Sequence, residues 1–270
     1  MSPVFRPVEL FIGGIRTIII DPHNEILPFW FREALSSRRR LIAVRIDAHH
    51  DMFQCSPALP ACEGRGKFEF IAKLLPALQD YSRYRVNEGN FTCPGFHYEV
   101  IGALYHFHPG KNRMEAYGRV CGPETEDAPK TATVRDAQMA VYGGGGCGRI
   151  VWVDGQPQEC RGCDARIAPR ARRITLSDFK RDLQDCELPV AIGFDLDGLY
   201  GNEDRGPPED VVKKRLDRIV TVIRSVSRPA FICLARSQTP RSYVPQNLVD
   251  RLQEAALGLI NDVYGKRFPA

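Results

Sequence analysis

A chain of 270 residues, 43% hydrophobic and 26% charged, has the composition of an ordinary globular protein and is long enough to bury a substantial core. Its net charge of +4 is mild for that length, and no basic stripe interleaved with aromatics is present, which argues against nucleic acid as a partner. No apolar run is long enough to span a bilayer and the first residues lack a signal-peptide pattern, while nine scattered cysteines, an odd number, suggest free thiols in a reducing cytoplasm.

Val8 to Ile12 and Ile15 to Asp21 are apolar runs around Gly13-Gly14, the pattern of a hairpin. A helix is predicted from Asn24 as its N-cap, with Glu25 in the first turn and Ile26, Leu27, Trp30, Phe31 and Leu35 along its apolar face. Arg38-Arg39-Arg40 suit the negative end of its dipole. Leu41 to Ile46 follows as a strand, and strand–helix–strand in so short a compass predicts a βαβ unit and a parallel sheet.

That strand runs into Asp47-Ala48-His49-His50-Asp51. In an extended chain, side chains at i, i+2 and i+4 share a face, so Asp47, His49 and Asp51 are expected to project together from the carboxyl end of the strand. Open α/β sheets bind their ligands there. Two carboxylates and an imidazole stay ionised side by side if a cation lies between them, and a divalent metal would supply it. The alternative is a polar turn in which Asp51 caps the next element.

Residues 52–66 read as a loop, Phe68 to Leu78 as a helix, and Tyr98 to His106 as either helix or strand. Between the last two, Asn87-Glu88-Gly89-Asn90-Phe91 is dense in hydrogen-bonding side chains. From about 109 to 173 the periodicity weakens. Gly143 to Gly146 lack the Lys-Ser/Thr and helix of a phosphate loop, and Arg149 to Val153 with Asp154-Gly155 suggest a strand and a turn. This stretch reads as a β-rich insertion or lid within a single domain spanning 1–270. It contains Cys160-x-x-Cys163, half of a tetrahedral zinc site that Cys121 and Cys147 could complete, although free thiols are the simpler reading.

Regularity returns with a helix over Leu176 to Cys186 opened by Ser177-Asp178, and a strand over Leu188 to Phe194. A helix over Glu209 to Val226, a strand over Ala230 to Ala235 and a closing helix over Pro245 to Tyr264 complete the order. Alternating strands and helices predict a three-layer α/β/α sandwich with a mainly parallel sheet. The strand before Asp195-Leu196-Asp197-Gly198 repeats the first motif, with two carboxylates at i and i+2, unless this is only an Asp-Gly turn. His23 follows a third strand. Strands joined by one crossover tend to be neighbours, so His23 is expected to face the same crevice as Asp47.

These residues carry a resemblance. Asp47-Ala48-His49-His50-Asp51 resembles the Asp-Ala-His-x-Asp motif of the ureohydrolases, the superfamily of arginase and agmatinase. Phe194-Asp195-Leu196-Asp197-Gly198 is similar to its Phe-Asp-x-Asp segment, and His23 falls where the family has the histidine of Gly-Gly-Asp-His, without the two glycines. The resemblance implies an arginase/deacetylase-like fold and a hydrolase acting on C–N bonds of a linear amidine. It also implies two Mn2+ ions bridged by Asp51 and Asp197, with His23 completing one, Asp47 and His49 the other or both, and Asp195 the remainder. A donor set rich in carboxylate and poor in imidazole favours Mn(II) over Zn(II). By the same resemblance Asp51 is the first candidate for shuttling a proton to the leaving amine.

The departures bear on substrate. No histidine lies between Asp51 and His97, and Leu234-Ala235-Arg236-Ser237-Gln238-Thr239-Pro240 contains no acid, so the recognition groups for free arginine are unmatched. His23-Asn24-x-x-Leu27-x-x-Trp30, Gly89-Asn90-Phe91 and Ala235-Arg236-Ser237 look like a peptide-arginase branch that converts arginine side chains of ribosomally made precursor peptides to ornithine and urea. That implies a peptide partner, with Glu88 or Asn90 contacting the substrate, unless these residues only satisfy their own loop backbone. The alternatives are a small guanidino substrate, a deacetylase-like amidohydrolase with one Zn(II), a metal-dependent phosphohydrolase reading His50-Asp51 as its His-Asp pair, or a non-catalytic peptide-binding cleft. His50 has no assigned role.

Overall fold

The structure, a computed structural model, describes residues 5–51, 67–89, 91–97, 100–118, 150–153, 156–159, 172–184 and 186–265. The first two strands, β1 (Val8–Ile12) and β2 (Ile15–Ile20), pair antiparallel through Gly13 and Gly14. Both glycines have positive φ, 55° and 76°, and a Cβ on Gly13 would lie 2.3 Å from the carbonyl oxygen of Tyr264. The turn therefore needs glycine for its backbone and for its neighbour.

Strands β3 (Leu41–Ile46), β4 (Ile101–His108), β5 (Arg113–Gly118), β8 (Arg172–Ile174), β9 (Val190–Asp195) and β10 (Phe231–Ala235) join this hairpin in an eight-stranded sheet of order β1-β2-β10-β9-β3-β4-β5-β8. β2, β10, β9, β3 and β4 are mutually parallel, and antiparallel strands close both edges. β6 (Ile150–Val153) and β7 (Gln156–Glu159) form a separate antiparallel pair.

Side-chain alternation divides the core. On one face Ile42, Val44, Ile192 and Leu234 pack with Phe179 of α4 (Leu176–Gln184), Ile219 and Ile223 of α5 (Pro208–Ile223), and Leu252 and Ile260 of α6 (Val249–Ile260). On the other, Leu41, Ala43, Ala191 and Cys233 meet Trp30 and Phe31 of α1 (Leu27–Ser37) and Ile71 and Leu78 of α2 (Lys67–Tyr84). A short α3 (Thr92–His97) precedes β4. The chain is thus α/β with a mixed, mostly parallel sheet covered on both faces, consistent with three layers.

Three details differ from the sequence expectation, and one open point is resolved. Asn24 does not cap α1. It lies in a tight 3-10 turn, His23–Ile26, and its amide reaches the Ser82 carbonyl at 2.5 Å, while α1 begins at Leu27 with Pro28 in its first turn. β2 and β3 are not neighbours, because β10 and β9, supplied far later in the chain, lie between them. Of the undecided segment Tyr98 to His106, the part from Ile101 onward is strand β4. The stretch from about 109 to 173 begins and ends inside the main sheet, since β5 pairs with β4 and β8 forms the edge beyond it. Cys121, Cys147, Cys160 and Cys163 lie outside the described residues.

Candidate metal centre

Because β2, β3, β9 and β10 are parallel, their carboxyl ends open along one edge of the sheet, where Asp195 ends β9 and His23, Asp47 and Ser237 follow the last residues of β2, β3 and β10. β3 is buried throughout and stops at Ile46. Beyond it the chain turns, and the expected extended alternation through Asp51 does not hold. Asp47 Oδ1 accepts the His49 N–H at 2.6 Å, an Asx turn, and Asp51 sits at φ 52°. The Ala48 N–H donates to Asp197 Oδ1 at 3.2 Å, and the Thr92 hydroxyl donates to the Asp51 carbonyl at 2.8 Å. Asp47, His49 and Asp51 still converge, through a turn held by its own carboxylate.

At the end of β9, Asp195 caps the 3-10 turn Leu196–Gly198 by accepting the Asp197 N–H at 3.1 Å. The Ser237 hydroxyl lies 2.5 and 2.6 Å from the two oxygens of Asp195. His23 Nε2 is 2.9 Å from the Glu88 carbonyl, and a carbonyl can only accept, so Nε2 carries a hydrogen. Its Nδ1 contacts Asp195 Oδ2 and lies 3.7 Å from Asp47 Oδ2. His49 Nδ1 is 2.7 Å from Asp197 Oδ2 and 3.9 Å from Asp47 Oδ1.

Two donor sets result, His23/Asp47/Asp195 and Asp47/His49/Asp197, each with its donor atoms within 4.8 Å of one another. Asp47 belongs to both and offers a different oxygen to each histidine. Either set could hold a metal ion. His23 is also held as a ligating imidazole would be, its distal N–H fixed on a backbone carbonyl so that Nδ1 faces the carboxylates. Asp51, expected as a bridge, belongs to neither set. Its Oδ2 is 2.6 Å from Arg45 Nη2 and 3.4 Å from His23 Nε2.

The charge balance of the cluster would favour added cations. Asp47, Asp51, Asp195 and Asp197 are each no more than 3% exposed, and among the described residues the buried guanidinium beside them is that of Arg45, whose Nη2 also contacts Asp47 Oδ2. With neutral imidazoles, four carboxylates against one guanidinium leave a large negative excess. Without metal, protons make it up. Burial opposes a charged His23, but Asp51 and Asp195 outweigh it and raise its pKa to about 10. The hydrogen bond to Asp197 raises His49 to about 9. Burial, then Asp195 and Asp47, pushes Asp197 up to about 7, and burial with Asp47 beside it raises Asp51 as well. Divalent ions would replace those protons.

Glu88 is brought to the same place. Its Oε1 accepts from the Tyr243 hydroxyl at 3.0 Å, and its Oε2 is buried without a hydrogen-bond partner among the described residues. The Tyr243 ring lies 5.5 Å from that of His49. Asn90 lies outside the described residues. The sequence reading missed Arg45, Tyr243 and His106, whose Nε2 is 3.1 Å from the Asp47 carbonyl, and gave Ser237 no role of its own within Ala235-Arg236-Ser237. Arg45 was discoverable, as a lone charge in an apolar strand two residues before Asp47.

No protein-family model matches this chain, and no curated protein matches it. No helix among the described residues is long and apolar enough to cross a membrane.

Proposed function

We propose that the chain is a binuclear metallohydrolase of the ureohydrolase kind, using Mn(II) to convert arginine side chains of a peptide to ornithine with release of urea. The observation that carries this reading is the meeting of two donor sets on one carboxylate, Asp47, at the carboxyl edge of a parallel sheet. Bound there, the ions would supply Lewis acidity and a water acidified toward neutral pH.

The chain's own groups account for the remaining chemistry. Water oxygen adds to the guanidinium carbon, the bond from that carbon to the side-chain nitrogen breaks, and the departing amine takes up a proton. Glu88 presents Oε2, unpartnered among the described residues, as an acceptor for guanidinium N–H groups, and Tyr243 fixes its other oxygen. Asp51, outside both donor sets, is our candidate for carrying the proton to the amine.

The test is incubation of the Mn(II)-loaded protein with arginine-containing peptides, reading urea and the loss of CN2H2 per converted residue by mass spectrometry. Glu88→Gln should lower kcat/KM about a hundredfold while leaving metal content unchanged. Urea from free guanidino compounds alone would replace the peptide substrate, and no urea from either would overturn the assignment.

One observation favours a second reading. Arg45 already neutralises part of the cluster, which suits a metal-free charge network in a non-catalytic binding cleft. A purified chain that takes up no divalent metal would select it.

A further inference from the structure

Arg45 stands on the inner strand β3, in a run where every other residue from Leu41 to Ile46 is apolar, and its residue is 3% exposed. The fold makes a place for it. Gly193 of β9 is its register partner, and a Cβ there would lie 3.0 Å from Arg45 Cδ. The Phe91 ring covers the guanidinium, with Cζ 4.7 Å from the ring centroid. A guanidinium keeps its charge when buried, so this is a permanent cation inside the centre.

Its position is one-sided. Nη2 engages Asp47 Oδ2, the oxygen that faces His23, and Asp51 Oδ2 at 2.6 Å. The other oxygen, Oδ1, faces His49 and accepts only the His49 backbone N–H among the described residues. We propose that Arg45 is a built-in cation that makes the two metal positions unequal. The ion held by Asp47, His49 and Asp197 binds first and tightly. An ion on His23, Asp47 and Asp195 competes with the guanidinium for Asp47 Oδ2, beside a fixed positive charge, and binds more weakly. The inference rests on the metal centre proposed above and gives it an order of filling: one ion at limiting metal and two at saturation.

The experiment is titration of the chelator-stripped full chain with Mn(II), followed by electron paramagnetic resonance and calorimetry. The wild type should show two steps separated by about tenfold or more in affinity. His49→Ala should remove the tight step and His23→Ala the weak one. Arg45→Met should tighten the weak step by on the order of tenfold and leave the tight one in place, and Arg45→Lys, which keeps the charge, should retain the separation. If Arg45→Met does not fold, Arg45→Gln, which keeps a donor toward the carboxylates, gives the same comparison. Two equally tight ions in the wild type, a separation unchanged without the guanidinium, or loss of the tight step in His23→Ala would each overturn the proposal. No Mn(II) uptake at all would instead overturn the metal centre itself.

Discussion

Ser237 shows how single residues shape the centre. Its backbone sits at φ 53°, in the left-handed region that a residue with a Cβ adopts at a cost, and its hydroxyl lies between the oxygens of buried Asp195. Ser237→Ala keeps the strained φ and removes the donor, so urea unfolding should register a loss of about 1–3 kcal/mol. Ser237→Gly loses the same donor but relaxes the backbone, and should be more stable than the alanine variant by about 1 kcal/mol. Equal stabilities would mean that the φ carries no strain. At this scale the sequence was partly legible. Asp47, His49, Asp195 and Asp197 stood out because polar ligating groups ended apolar runs, and Arg45 was visible by the same logic. Ser237 and Tyr243 come from the loop after β10, which has no hydrophobic period to fix its path.

Among the elements, the two faces of the sheet do different work. Trp30 of α1 stacks on Phe91, with ring centroids 5.6 Å apart, and Phe91 in turn lies 5.1 Å from His23 and beneath Arg45. Phe179 of α4 is equally buried on the opposite face, 5.0 Å from Tyr105. Phe91→Ala and Phe179→Ala should each cost about 3–5 kcal/mol in unfolding experiments. Only Phe91→Ala should also weaken Mn(II) binding, because it loosens the His23 ring that packs against Phe91. Equal effects on metal binding would show that the supporting face has no special role. The core strands β3, β9 and β10 were legible as apolar runs, because strands buried on both faces read that way. Their order was not, since β9 and β10 enter between β2 and β3 through pairings that leave no local trace. The start of α1 moved from Asn24 to Leu27 because Asn24 spends its amide on Ser82 rather than on the helix.

For the whole molecule, stability should fall in acid in a way partly traceable to His108. Burial, followed by Lys111 and His106, lowers its pKa to about 4, and its Nδ1 faces the Lys111 backbone N–H at 3.4 Å. The folded value lies below the ordinary 6.5, so the unfolded chain takes up a proton first. The contribution is complete above pH 6.5 and is lost as pH falls from there to about 4. Unfolding of wild type and His108→Gln at pH 7 and pH 4.5 should show the wild type losing more stability, and parallel losses would remove His108 from the cause. What unites the molecule is the parallel sheet edge that brings residues 23, 47, 49, 195 and 197 together from three strands. Its most direct test is the metal content of Asp47→Ala after dialysis against Mn(II), set beside His23→Ala, His49→Ala and the wild type. A shared Asp47 means that Asp47→Ala loses both ions and each histidine variant loses one. A wild type that binds no Mn(II), or an Asp47→Ala that still holds two ions, would contradict it.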